Sequence, residues 1–380
     1  MINISRLYCG LAGESDDLRY HHSDSFGPVI VYNCTRRCNL HCVHCYSSSD
    51  SNQLNNELNT PEAKRLLSQL ADANCSVVLF SGGEPLLRGD LLELLAEVGR
   101  LGLRAVVSSN GTLIDSDKAN KLAELGISYV GISIDGAGEF HDKFRQVKGC
   151  FKSALAGIEN CKKAGIKTGL RFTITKANNE QIPAVFDIAV KAGVRRICFY
   201  HLIRAGRAKE LDEQPLSTNR TRQVLDVIIE KACELTKKGL MDEVLTVGNH
   251  ADGPYLLVKM RKQNNQAFKQ AKELLLANGG NKTGEKIGCV GWDGSVYADQ
   301  FWRNYSLGNV KDRTFKQIWE NTDESVLNKL RNKGQFADAR CRRCKWFDLC
   351  KGNFRFLGTR ADYECWQNEP ACYLTDEEIV

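Results

Sequence analysis

Between residues 29 and 201, short β-branched or aromatic runs alternate with amphipathic helical stretches, and this alternation constrains the fold of the 380-residue chain more than any other feature. The runs lie at Val29–Tyr32, Val77–Phe80, Arg104–Ser108, Tyr129–Ile134, 167–174 and 195–200, with helical patterns at 60–73, 91–100, 115–125, 152–164 and 180–192. Thr60 as N-cap and Pro61 at the first helical position give the first helix its start. Strands joined through helices run parallel, with right-handed crossovers. The expected class is therefore α/β: a curved sheet like a partial (β/α)6 TIM-type barrel, with chemistry at the C-terminal ends of its strands.

The repeat stops near His201. Amphipathic helices at about 217–238 and 254–277 are expected to pack on the outside of the barrel. Beyond Asn278-Gly279-Gly280 the pattern becomes a β-hairpin, Lys286–Cys289 and Ser295–Ala298, followed by a helix around 314–331 and a run of cysteines. The expected organisation is a flexible lead-in over 1–28, the barrel over 29–210, a helical connection over 211–280 and a small cysteine-rich domain over 281–380.

Sixteen cysteines, clustered in sequence, argue for metal or redox chemistry in a reducing compartment. Cys38-Asn-Leu-His-Cys42-Val-His-Cys45 follows the first strand, so three thiols within eight residues can wrap one inorganic centre and leave one position open. A zinc ion completed by His41, His44 or Cys34 is the alternative. The second set is Cys341, Cys344 and Cys350, with Cys365 and Cys372 beyond, for which a zinc ribbon is the alternative. Cys75, Cys150, Cys161, Cys198 and Cys233 stand alone in apolar or helical patterns and read as core thiols. A net charge of +6 is too small to imply nucleic acid, no apolar run approaches a membrane span, and the first residues do not resemble a secretory signal. A cytoplasmic protein with no nucleic-acid or membrane partner is expected.

The cysteine loop, with Tyr46 directly after its third thiol, resembles that of the radical S-adenosylmethionine (SAM) enzymes. Ser81-Gly82-Gly83-Glu84-Pro85 after the second strand is similar to their Gly-Gly-Glu-Pro turn. The resemblance implies that Cys38, Cys42 and Cys45 hold a [4Fe–4S] cluster whose fourth iron binds SAM, so that Cys34 must stay off that iron. It implies SAM contacts from Gly82, Gly83 and Glu84, from Ser108 and Asn110, from Ser133 and Asp135, and from Arg145 and Leu202, with Ser133 and Arg145 at the ribose and carboxylate. The second cysteine set resembles the SPASM or twitch extension, which implies an auxiliary [4Fe–4S] cluster on Cys341, Cys344, Cys350 and either Cys372 or Cys365, with Cys289 a candidate further ligand.

Longer segments narrow the resemblance: Ile4–Gly10, Asp17–Tyr20, Thr35–Leu40, Trp292–Tyr297, Asp299–Asn304 and Glu369–Ile379 are similar to the tetrapyrrole-modifying radical SAM group. Within it they look most like the didecarboxysiroheme deacetylase (AhbC) family, with the NirJ family of haem d1 synthesis near by. The first implies removal of two acetate side chains from didecarboxysiroheme to give iron-coproporphyrin, the second removal of propionates. Either needs an electron donor such as ferredoxin or flavodoxin. Substrate carboxylates make Arg171, Arg204, Arg207 and Arg303 candidate binding residues, and His21, His22 or Cys9 candidate ligands to the substrate iron. A peptide-modifying maturase and a non-enzymatic iron–sulfur or zinc scaffold are the alternatives.

Overall fold

The computed structural model describes residues 1–13, 26–52, 56–211, 216–323, 325–353 and 371–380. The expected strands form at Val29–Thr35 (β2), Val77–Gly82 (β3), Arg104–Ser109 (β4), Tyr129–Ser133 (β5), Thr168–Ile174 (β6) and Arg196–His201 (β7). They are flanked by Ile2–Asn3 (β1), Glu243–Val247 (β8), Ile287–Val290 (β9), Ser295–Tyr297 (β10) and Gly308–Asn309 (β11). All belong to one sheet in the order β1-β8-β7-β6-β5-β4-β3-β2-β9-β10-β11. The run from β8 to β9 is parallel throughout, so the six expected parallel strands become eight.

The strands are apolar along their length because both faces are covered: β2 is buried from Ile30 to Thr35, and Tyr32 meets Phe80 edge-on at 5.7 Å. Behind β6 and β7, Phe172, Phe199 and Phe186 pack together with ring centroids 5.4 to 5.7 Å apart. The first covering helix, Thr60–Asp72, is capped by Asn59 and not by Thr60: the Asn59 side chain accepts from Glu62 N–H at 2.9 Å and Glu62 returns the bond.

The N-terminal residues correct the expected flexible lead-in. Ile2 pairs antiparallel with Thr246, the short helix Ile4–Tyr8 follows, and Ser5 Oγ accepts from Val244 N–H at 2.9 Å. Ile2, Ile4 and Leu7 are buried. This two-residue strand covers what would otherwise be the open edge of β8, and it is too short to show an alternating pattern in sequence. The expected helical connection likewise contains β8. Its long helix at 254–277 is two, Asp252–Lys262 and Phe268–Asn278, interrupted where Asn264 takes a φ of 51°. The expected helix at 314–331 divides into Phe315–Trp319 and Ser325–Arg331. The hairpin docks on the barrel, with β9 parallel to β2 and Val31 opposite Cys289, so the sheet continues across the boundary expected near 280. No described helix is long and apolar enough to cross a membrane.

Because Leu7 is 1% exposed, Leu7→Ala is expected to cost about 2–5 kcal/mol, read as a lowered urea midpoint of the cluster-free protein. A midpoint equal to that of the wild type would mean that residues 2–8 do not pack as described.

Candidate active site

The C-terminal ends of β2 to β7 enclose a cavity whose empty volume, counting the part open to solvent, is about 1040 Å³. Its wall takes Cys38, Cys42 and Cys45 from the loop after β2, Gly82 and Gly83 from β3, Ser108 and Asn110 from β4, and Ser133 and Arg145 from β5 and the helix beyond. Arg171 and Thr173 of β6, Tyr200 to Ile203 at the end of β7, and Gln300 and Phe301 from the segment after β10 complete it.

The cysteine loop contains neither helix nor strand, so its backbone groups find partners elsewhere. The N–H groups of His41 and Val43 donate to the carbonyls of Arg145 and Phe144, both at 3.3 Å, at the C-terminal end of helix Gly138–Arg145. From the other side Arg207 donates through Nε to Cys42 O at 2.9 Å and through Nη1 to Ser49 O at 2.7 Å, while its N–H bonds Cys45 O. Asn110 Nδ2 bonds Asn39 Oδ1 at 2.8 Å and ties the loop to β4.

Burial pushes the Cys38 thiol up to about 12 and the Cys42 thiol up to about 11. The pocket therefore favours neutral thiols until a positive centre offsets their charge, which is the condition an iron cluster meets. A single zinc with Zn–S bonds of about 2.3 Å requires sulfurs within about 4 Å of one another. Among the described residues no three His, Cys, Asp or Glu side chains converge on a single-ion site. Cys34 is fully buried in the core, its Sγ 3.5 Å from Ser81 O, and it does not line the cavity. His41 lies on the outer side of the loop, and His44 turns toward Asp135, 3.5 Å from its carboxylate.

Two residues expected at SAM, Glu84 and Asp135, do not line the cavity and bond residues that do. Glu84 is wholly buried and accepts from Asn110 N–H at 2.7 Å, Ser109 Oγ at 2.9 Å and Leu86 N–H at 3.2 Å, which locks β3 to β4; it does not line the cavity. Burial still raises its carboxyl above the ordinary range, against those three donors. Asp135 is also wholly buried: it accepts from Arg145 Nη2 at 2.5 Å and from Thr173 N–H at 3.0 Å. Burial pushes the Asp135 carboxyl up, but Arg145 and then His44 bring it below the ordinary value. The pair orients Arg145 on the cavity wall, with its Nε buried and without a partner.

Glycine is required twice at the end of β3. A Cβ on Gly82, whose φ is +114°, would come within 2.5 Å of Thr35 O, and one on Gly83 within 2.0 Å of Arg37 O. These contacts let the turn lie directly against the cysteine loop.

The second cysteine set closes around its own small cavity, lined by Cys341, Cys344, Cys350 and Cys372, with Arg340 donating to Cys372 Sγ at 3.1 Å. Cys365 lies outside the described residues. Cys289 is not at this cavity: it sits on β9, accepting from Asn33 Nδ2 at 3.5 Å, because the strand that carries it docks on β2.

Of the expected substrate cations only Arg171 lines the main cavity, its guanidinium 4.7 Å over the Tyr200 ring. Arg204 is exposed and bonds Lys209 O at 3.3 Å, Arg207 is engaged by the loop carbonyls, and Arg303 stacks on Trp292 at 4.1 Å. His21 and His22 lie outside the described residues, and Cys9 packs with Cys233 away from the cavity. Tyr46, to which the sequence assigns no role, donates its hydroxyl to Asn33 Oδ1 at 2.8 Å, and the wall also holds His201, Gln300 and Phe301, which were not among the expected site residues. Tyr46 had a signal in its place directly after Cys45, and Gln300 and Phe301 in the Asp299–Asn304 segment that carries the tetrapyrrole-group resemblance; His201 stands in no recognisable motif.

The sequence matches the radical SAM superfamily over residues 32–189 and the SPASM iron–sulfur cluster-binding domain over 283–345. The solved structure of native anSMEcpe with bound AdoMet shares the fold, with a TM-score of 0.65 at 21% identity over 86% of this chain and 88% of that one. Fold, cysteine loop and matches define an enzyme of the radical SAM class, whose catalytic domain binds SAM and a [4Fe–4S] cluster and whose SPASM domain binds auxiliary iron–sulfur. The chain is 49% identical to Fe-coproporphyrin III synthase of Methanosarcina barkeri over 100% of its own length and 99% of that protein's. It is 38% identical to pre-heme d1 synthase of Dinoroseobacter shibae, with 92% and 87% covered. It belongs to the family of tetrapyrrole-modifying radical SAM enzymes of haem biosynthesis.

The site also sets a pH limit. His141 is wholly buried, accepts from Asp135 N–H at 3.1 Å, and burial lowers its imidazole to about 4. An unfolded histidine titrates near 6.5, so this contribution is complete above about pH 6.5 and is lost as pH falls toward 4, by up to about 3 kcal/mol. Urea midpoints measured across that range are expected to fall with pH in the wild type and to fall less in His141→Asn, which keeps an acceptor.

Proposed function

We propose that this enzyme removes two acetate side chains from didecarboxysiroheme to give iron-coproporphyrin. The observation that carries this reading is the 49% identity, end to end, with Fe-coproporphyrin III synthase, against 38% with pre-heme d1 synthase and 31% with an AdoMet-dependent heme synthase.

Cys38, Cys42 and Cys45 are assigned as ligands of the SAM-binding cluster, and Cys341, Cys344, Cys350 and Cys372 as ligands of the auxiliary one. When bound, cluster and SAM supply a 5′-deoxyadenosyl radical that removes one hydrogen atom from the substrate. The chain's own residues bind, orient and exclude water. Ser133 and Arg145 line the cavity, where a guanidinium suits a carboxylate, and the Gly82-Gly83 turn lets backbone approach closely. Arg171 faces the cavity without a carboxylate partner among the described residues, which fits a substrate carrying several carboxylates. Phe301, edge-on to Tyr46 at 5.4 Å, covers the side next to the loop and keeps water from the reacting groups. Electrons come from a ferredoxin or flavodoxin.

The test is anaerobic turnover with SAM, dithionite and didecarboxysiroheme, followed by the mass of the tetrapyrrole. Loss of two acetate arms is expected; loss of propionate arms would give the pre-heme d1 type of reaction instead, and an unchanged tetrapyrrole would end both readings. Cys42→Ala is expected to abolish SAM cleavage while leaving the auxiliary cluster's iron in place. Arg171→Ala is expected to raise KM for the tetrapyrrole about 10- to 100-fold, the worth of a charge-assisted hydrogen bond of about 1.5–3 kcal/mol. Its uncoupled SAM cleavage, measured as 5′-deoxyadenosine without substrate, is expected to stay at the wild-type level.

A further inference from the structure

His201 ends β7 and lines the cavity, with its side chain 9% exposed. Its Nε2 lies 2.9 Å from Oδ2 of Asp252, a carboxylate with no exposed surface at the start of helix Asp252–Lys262. The other oxygen, Asp252 Oδ1, accepts from the Tyr373 hydroxyl at 2.5 Å. A carboxylate can only accept, so Nε2 carries the proton and donates. In the neutral imidazole that leaves Nδ1 with a lone pair. Among the described residues Nδ1 has no hydrogen-bond partner, and it is not one of the buried atoms without a partner, so it keeps some exposed surface.

A histidine whose one nitrogen donates to a buried carboxylate while the other is free is the arrangement of metal-ligating imidazoles, in which the carboxylate fixes the tautomer and raises basicity. The other histidine on this wall is not so placed. His44 Nδ1 is shut away from open space and its Nε2 faces Asp135, and the hydroxyl of Tyr46 is bonded to Asn33 and Ser81. The three thiols of the wall are assigned to the cluster.

We propose that His201, held by Asp252 and Tyr373, is the protein ligand to the central iron of the tetrapyrrole substrate, bound through Nδ1. This rests on the tetrapyrrole reading above. It also ties the substrate to the second cysteine set, because Tyr373 directly follows Cys372 and fixes the carboxylate that fixes the imidazole.

The test uses anaerobically reconstituted enzyme titrated with ferric iron-coproporphyrin III and, separately, with metal-free coproporphyrin III. The wild type is expected to bind the iron form at least tenfold more tightly than the metal-free form. In His201→Ala and His201→Gln that preference is expected to vanish while metal-free binding stays unchanged, which also reports that the site is folded. The Soret position and the electron paramagnetic resonance spin state of the bound iron are expected to change in both variants, and added imidazole to restore them in His201→Ala. Asp252→Asn is expected to weaken iron-form binding about tenfold without affecting the metal-free form. An iron spectrum and binding preference unaltered in His201→Ala would overturn the ligand assignment and leave the tetrapyrrole reading standing. Failure of the wild type to bind either porphyrin would overturn that reading, and the assignment with it.

Discussion

A loop that carries three thiols into a cavity cannot use its own backbone to stay in place, and the rest of the site depends on how that problem is met. Residues 38–45 form no helix and no strand, so the backbone groups that Leu40, Cys42 and their partly buried neighbours take out of water need partners from elsewhere, since unpaired buried backbone groups are costly. The supports come from three separate parts of the chain: the last carbonyls of helix Gly138–Arg145, the guanidinium of Arg207 beyond β7, and the amide of Asn110 beyond β4. Each lies at the C-terminal side of the sheet because parallel strands deliver all their following loops to the same end.

The charges of the site follow the same plan of indirect support. Glu84 and Asp135 are buried carboxylates that meet backbone N–H groups or Arg145 and not the cavity. Their work is to hold the groups that do line it. A buried ion pair of this kind contributes less to stability than to geometry, since desolvation offsets much of the attraction. What it secures here is the position of Arg145 beside Cys42, where a cation also lowers the cost of nearby negative charge.

The fold was largely legible because strands covered on both faces are apolar along their length, and the turns between them carry recognisable caps and glycines. The cysteine loop and the Gly-Gly-Glu-Pro turn were legible as motifs. Motifs do not reveal direction, however: Glu84 and Asp135 stand where the pattern places them but point into the protein, and Arg207 turns back on the loop carbonyls. The two-residue strand Ile2–Asn3 has no period to detect, so the sequence shows residues 1–28 only as a lead-in. His201 and Asp252 were missed because they stand 51 positions apart, and only the packing of β7 against β8 brings them together.

Two strands of the sheet, β8 and β2, each take a neighbour from a distant part of the chain. β1 can pair only after β8, some 240 residues later, exists, and β2 stays uncovered on one side until β9 is made. During synthesis the sheet thus spends most of its time with two raw edges, long after the cysteine loop has left the ribosome. Contacts so far apart in sequence slow folding and lengthen the exposure of unpaired strand edges to other chains. For this protein the vulnerable interval is set by the arrival of the hairpin at 287–297, so its yield in a cell depends on how well the nascent barrel is shielded until then.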